Sequence, residues 1–275
     1  MELRPLSASL GVEAVDVDVR ASLTAAGIDE LRAALDQHHL LLFRKQQLVP
    51  EEQVAFVARF GPLCPERQMW SYISNARPDG IVREGALRFH SDFAFAQEPT
   101  LAISLHAIEV PPEGAPTVFA NAERAVSLLE PSLRARLVDA QVRNIYDFQW
   151  PDDKRLREHQ MGVGMPRADH RFIGAHPRTG VPVIFANEMH TDRVLDLDEA
   201  DSEELLAAVF AVVYGDANTH THHWQVGDLV LWDNVSLHHG RPAFDRTAAR
   251  TLQRVALGRY TATELVPNLA ELLGR

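Results

Sequence analysis

The sequence predicts a mainly β protein with peripheral α-helices, built on a double-stranded β-helix (jelly roll) core in a single domain over residues 1–275. Three observations predict it. Strand-like runs carry the chemistry-bearing residues. Helix-like runs lie at the start and between them without regular alternation, which a βαβ array would require. No repeat, low-complexity stretch or Pro/Gly/Ser linker divides the chain.

Each element follows from its local pattern. GVEAVDVDV (residues 11–19) alternates at period two, as a half-buried strand should. Asp29 to His38 reads as helix and Leu40 to Phe43 (LLLF) as a buried strand. Pro50 stands at a helix start, and Val54, Val57 and Phe60 recur at helical spacing until Gly61 ends it. From Arg67 to Leu87 the pattern is weak and reads as an exposed loop carrying Trp70 and Tyr72. LRFHSDFAF then precedes a strand from Leu101 to Val110, closed by the turn formers PPEGAP. Asn121 to Leu137 suggests helix, Gln149 to Asp169 an irregular lid or insertion, and Val181 to Asn187 a strand. Asp201 with Glu204 makes a capping box for a helix reaching Tyr214. Asp228 to Asn234 and Thr251 to Gly258 close the chain as strands.

Composition narrows the function. The chain is 46% hydrophobic and 24% charged, enough apolar content for a sizeable core. A net charge of −11 without a Lys/Arg cluster argues against nucleic acid and against an anionic membrane surface as partners. Cys64 is the only cysteine, which excludes an intrachain disulfide and a Cys-rich zinc site and suits a reducing compartment. The N-terminal residues lack a signal-peptide core, and the apolar run from Leu205 to Tyr214 is too short to span a bilayer. The expectation is a cytoplasmic protein with a small-molecule substrate; assembly as a homodimer or homotetramer is left open.

Two imidazoles and one carboxylate on one face of a metal leave three coordination positions open. That suits Fe(II), which must take a co-substrate and O2 together. On a strand, residues i and i+2 share a face, so His-x-Asp presents two donors to one ion. The motif occurs twice, as His90-Ser91-Asp92 and His190-Thr191-Asp192, and with 13 histidines about one match is expected by chance. The second pair reaches His239 across 46 residues, much of them helical, whereas the first leads into a clear strand with the rest of a barrel behind it. The first pair is the candidate.

HSD at residues 90–92, Thr117 in EGAPTVFAN, WDNVSLHHGR and RTLQR together resemble the taurine/2,4-dichlorophenoxyacetate dioxygenase family. LLLFRKQQLVPEEQVAFVARFGPL and HPRTGVPVIFANEMHTDR are similar to its opening and middle segments, so the likeness covers most of the chain. The resemblance implies Fe(II) on His90, Asp92 and His239, with His238 facing away. It implies 2-oxoglutarate as co-substrate, its distal carboxylate on Thr117 and Arg250, and oxidation of a substrate by O2 with release of succinate and CO2. Arg254 matches a second arginine that contacts an anionic substrate group in some members. Trp70 and Tyr72 are expected as an apolar substrate wall and His190 as a polar contact. Ala86 and the segment PERQMWSY depart from the sulfonate-binding members and argue against a taurine-like substrate. Because Asp92 is retained, halogenation is not expected.

Plainer readings stand beside these. Thr117 is also an ordinary β-branched strand residue, and Arg254 can serve a structural ion pair. His220, His222 and His223 in THTHHW lack a well-placed carboxylate and read as strand surface. Trp232, Asp233 and Asn234 read as a structural turn, and Cys64 as inert packing. A non-oxidative cupin-type metal enzyme and a non-catalytic jelly-roll binding module are the rival functions; neither has a use for Thr117 and Arg250 at those positions.

Overall fold

The computed structural model describes residues 1–21, 23–65, 68–81, 85–111, 115–146, 157–161, 164–245 and 247–266. In chain order the first strands are β1 (Leu3–Pro5), β2 (Val12–Ala14), β3 (Leu40–Phe43), β4 (Ser71–Ser74), β5 (Gly80–Ile81) and β6 (Leu87–His90). Next come β7 (Ala102–Glu109), β8 (Thr117–Asn121), β9 (Gln141–Ile145), β10 (Arg167–Arg171), β11 (Ile173–Ala175) and β12 (Pro182–Ile184). The last are β13 (Thr191–Val194), β14 (Thr219–His222), β15 (Leu229–Asp233), β16 (Leu237–Arg241) and β17 (Thr251–Leu257). The helices are α1 (Ala25–His38), α2 (Pro50–Val57), α3 (Ala122–Leu128), α4 (Pro131–Leu137), α5 (Glu199–Val213) and α6 (Ala262–Leu265).

Two sheets make the jelly roll. The major one runs β1-β2-β3-β15-β7-β17-β4-β5 and the minor one β14-β8-β16-β6; β10-β9-β13 and β11-β12 form smaller sheets. Alternation along β15 shows how the layers arise. Leu229 and Leu231 pack with Leu31, Phe43, Phe56 and Val57 under α1 and α2. Val230 and Trp232 point the other way, into an interior shared with Phe119 and Leu237 of the minor sheet. The outer face of the minor sheet is covered by α3 and α5 through Val126, Leu206 and Val209. All four residues of LLLF are buried, as expected of a strand covered on both faces.

Several boundaries move. Helix α1 starts at Ala25, because Thr24 accepts from Gly27 N as its N-cap. Asp198 caps α5, so the expected box at Asp201 lies inside the first turn. The helix expected from Asn121 is two helices, broken where Glu130 precedes Pro131. Only Val12–Ala14 of the first alternating run is strand. The supposed loop from Arg67 to Leu87, of which residues 67 and 82–84 lie outside the described residues, contains β4 and β5 and ends at the start of β6, since β4 and β6 pair with the distant β17 and β16 despite a weak local pattern. Of the expected lid at 149–169, residues 149–156 and 162–163 lie outside the described residues. The remainder holds a short 3-10 turn and the start of β10. No helix among the described residues is long and apolar enough to cross a membrane.

Candidate metal and co-substrate site

The interior faces of β6 and β16 bring two histidines together. His239 stands directly opposite His90 in the antiparallel register, with ring centroids 4.2 Å apart. Asp92 is not on the strand with His90: β6 ends at His90, and the chain turns through Phe93 at φ 61°, a left-handed conformation uncommon for an aromatic residue. The period-two argument for a shared strand face therefore does not apply to Asp92 as it stands. What aims Asp92 is Asn234. Its side chain accepts from Asp92 N at 2.9 Å and donates to Asp92 O at 3.1 Å and to Thr100 O at 2.7 Å. Ser91 Oγ donates to Asn234 O at 2.6 Å, which ties the His-Ser-Asp turn to the turn that launches β16.

Donor atoms of His90, Asp92 and His239 all lie within 4.8 Å of one another, the single such group among the described residues. His90 Nε2 is 3.2 Å and His239 Nε2 3.6 Å from Asp92 Oδ1. Ligands about 2.1 Å from a metal at right angles are separated by about 3 Å, so the set needs little adjustment to hold an ion. His90 Nδ1 is 2.8 Å from Arg88 O, a bond that puts the proton on Nδ1 and leaves the Nε2 lone pair for a metal. Burial, with the charge of His90 adding to it, pushes His239 down to about 3, so its imidazole is neutral and able to ligate. Burial alone raises the Asp92 carboxyl, but Arg254 and the His90 hydrogen bond outweigh it and hold the group well below the carboxylate range. Arg254 NH2 donates to Asp92 Oδ2 at 2.8 Å, which is the structural partner the sequence could not name.

The rest of the expected site divides. Thr117 on β8 is buried, and its hydroxyl accepts from Trp224 Nε1 at 3.0 Å. Arg250, 3% exposed, reaches the same strand end and donates Nε to Ala115 O at 3.3 Å. Among the described residues no carboxylate pairs with Arg250, and burial together with the neighbouring Arg241 pushes its guanidinium down to about 9. Such a group calls for an anion. Arg241, buried on β16 two residues past His239, was missed by sequence reasoning; position i+2 on the ligand's strand is the signal that would have found it.

Three expectations fail. Tyr72 pairs with Gln253 and Ser71 with Arg254, so Ser71 and Ile73 share the interior face while Tyr72 takes the opposite one, under Arg77 at 3.8 Å. Trp70 packs with the cluster beneath α1 and α2, also on the far side of the sheet from Arg254. His190 is fully buried, its ring 5.8 Å from His90 and 5.0 Å from Phe95, and supports a ligand from behind rather than offering a surface to substrate. His238 does face away: its Nδ1 meets the Tyr214 hydroxyl at 3.0 Å on the other side of the minor sheet. THTHHW is not strand surface throughout. His222 is buried with a carboxylate beside it, Asp228 Oδ2 at 3.1 Å, whereas His223 is exposed.

Comparison with known proteins gives the family. Residues 2–256 match the family described as "Taurine catabolism dioxygenase TauD, TfdA family". The chain belongs to this family. It is therefore a dioxygenase, an oxidoreductase in a family that works with Fe(II), 2-oxoglutarate and O2. It is 31% identical to an alpha-ketoglutarate-dependent 2,4-dichlorophenoxyacetate dioxygenase of Cupriavidus pinatubonensis, over 92% of this chain and 94% of that one. It is 30% identical to an (S)-phenoxypropionate/alpha-ketoglutarate-dioxygenase of Sphingobium herbicidovorans, over 96% of both. A taurine dioxygenase structure from Burkholderia xenovorans superposes with a TM-score of 0.77 at 26% identity, covering 93% of this chain and 90% of that one. The TauD/TfdA fold of that neighbour has the jelly-roll core found here.

Proposed function

We propose that this TauD/TfdA-family dioxygenase hydroxylates a small organic anion, most simply a carboxylate, while 2-oxoglutarate is converted to succinate and CO2. The observation that carries the reading is the convergence of His90, Asp92 and His239 donor atoms within 4.8 Å in the jelly-roll interior. These three residues would hold Fe(II), which with 2-oxoglutarate and O2 supplies the oxidising chemistry. Arg250 and Thr117 would bind the distal carboxylate of 2-oxoglutarate, the first by a charge-assisted bond and the second by its hydroxyl. Burial of both excludes water and so strengthens each bond.

Arg254 places a positive charge beside Asp92, on the interior face it shares with Ser71 and Leu252. The carboxylate-bearing compounds named for the two relatives near 30% identity support an anionic substrate. The apolar residues Phe93, Tyr146 and Ala256 would replace Trp70 and Tyr72 as the wall for the substrate's body. We place the reaction in the cytoplasm, because a lone buried cysteine suits a reducing compartment.

The test is a metal analysis joined to an assay of O2-dependent succinate release, with carboxylate, sulfonate and phenoxy compounds screened for stimulated turnover. Carboxylates should stimulate, and their amides or esters should not. A protein that binds iron but forms no succinate with any compound, or that turns over neutral and anionic forms equally, would sink the corresponding half of the proposal.

A further inference from the structure

The histidine-rich strand end THTHHW has no part in the reading above, yet it abuts the co-substrate residues. In the antiparallel pairing of β14 with β8, His222 stands opposite Thr117. Two residues on, Trp224 is 7% exposed, packs in the interior cluster with Leu105 and Val230, and donates its indole N–H to Thr117 Oγ1 at 3.0 Å. The His222 ring meets the indole edge-to-face at 4.5 Å and 89°. Behind it, Asp228 Oδ2 lies 3.1 Å from His222 Nε2 and also accepts from Arg44 at 2.7 Å and from Gln225 N, the residue after Trp224, at 2.9 Å. The indole is thus held from its ring face and from its backbone.

A threonine hydroxyl has one proton and two lone pairs, and it rotates to suit its neighbours. A carboxylate only accepts, so it can use Thr117 only when the hydroxyl proton points at it. We infer that Trp224 is a positioning residue for the co-substrate: by donating to Thr117 Oγ1 it occupies an acceptor direction and turns the hydroxyl proton outward to a carboxylate. This rests on the reading that Thr117 and Arg250 hold 2-oxoglutarate. Three observations support it. Among the described residues no other group bonds the Thr117 hydroxyl. Arg250 Nε bonds Ala115 O, two residues before Thr117, so guanidinium and hydroxyl serve one end of β8. Finally, the His222 ring packs edge-to-face on the indole and Asp228 accepts from the backbone N–H of Gln225, the next residue, so Trp224 is held in place from two sides.

A positioning role and a packing role differ in one respect. Packing would weaken ligand binding whatever stands at 117, whereas positioning acts only through the hydroxyl, which a double-mutant cycle detects. The experiment titrates the full chain, loaded with Mn(II), with N-oxalylglycine in a calorimeter, so no turnover is needed. Thr117→Val should weaken binding about ten- to a hundredfold and Trp224→Phe about two- to twelvefold, while Mn(II) affinity stays unchanged. The double variant should bind no worse than Thr117→Val alone. In a Thr117→Ser background, which keeps the hydroxyl, Trp224→Phe should again cost its full factor. If the cavity left by Trp224→Phe unfolds the chain, benzothienylalanine at 224 replaces the N–H by sulfur at nearly the same shape and should give the same factor. Loss of affinity on Thr117→Val with none on removing the Trp224 N–H, or an equal loss in the Thr117→Val background, overturns the inference and leaves the co-substrate reading standing. No effect of Thr117→Val overturns both.

Discussion

The chain contains the same tripeptide pattern twice, and the fold gives the two copies opposite fates. His90-Ser91-Asp92 sits where β6 ends beside β16, facing the interior, with Asn234 fixing the Asp92 backbone and His239 across the ladder. His190-Thr191-Asp192 sits at the start of β13, where a register irregularity separates Thr191 from Arg193. There His190 points inward behind His90, while Asp192 accepts from Glu158 N at 3.1 Å and lies 3.7 Å from Arg193. A short motif thus specifies ligand types, and the third ligand and the turn that follows decide whether they converge.

The sharpest way to break this comparison is to exchange the losses. Asp92→Ala should reduce succinate formation to background, because it would remove a proposed iron ligand and leave Arg254 without its carboxylate. Asp192→Ala should leave the visible absorption of the Fe(II)–2-oxoglutarate complex intact. The opposite pattern would move the metal to the second pair.

Nearly as large is the contrast between adjacent histidines. His239→Ala should abolish Fe(II) binding measured by equilibrium dialysis. His238→Ala should retain it while costing about 1–3 kcal/mol of stability, since the Tyr214 hydroxyl loses a buried partner. Iron bound by the first variant and not by the second would show the ligand register to be off by one.

The first pair also differs in having a buried arginine nearby that lacks an acidic partner among the described residues. Arg250→Gln should raise the apparent KM for 2-oxoglutarate roughly ten- to more than a hundredfold, the value of a lost charge-assisted bond of about 1.5–3 kcal/mol. An unchanged KM removes Arg250 from the site.

The smallest effect concerns acid stability. Burial pushes His238 down to about 3. Above about pH 6.5 this position is neutral in both folded and unfolded chains and adds no pH dependence. Below that, the unfolded chain takes up a proton that the folded one refuses, so stability falls from pH 6.5 towards pH 3. His238→Gln should flatten urea-denaturation stability across that window by up to about 1.4 kcal/mol per pH unit. A slope equal to wild type would mean His238 protonates in the folded state.

Much of this protein was legible in its sequence. Period-two runs and the absence of regular βαβ alternation pointed to a jelly roll, because strand faces are written directly in side-chain order. The family-like positions of HSD, Thr117, His239 and Arg250 named the residues that the fold then gathers. The tertiary structure alone decided matters of facing and orientation. Tyr72 and Ser71 differ by one position, and only the pairing of β4 with β17 settles which of them looks inward. Asp92 lies beyond its strand, so its direction depends on an Asn234 side chain 142 residues away. Trp224 and Thr117 meet across 107 residues for the same reason. Sequence pattern records preferences of neighbours along the chain, whereas hydrogen bonds across a barrel depend on which strands pair and in what register, and no local periodicity encodes that.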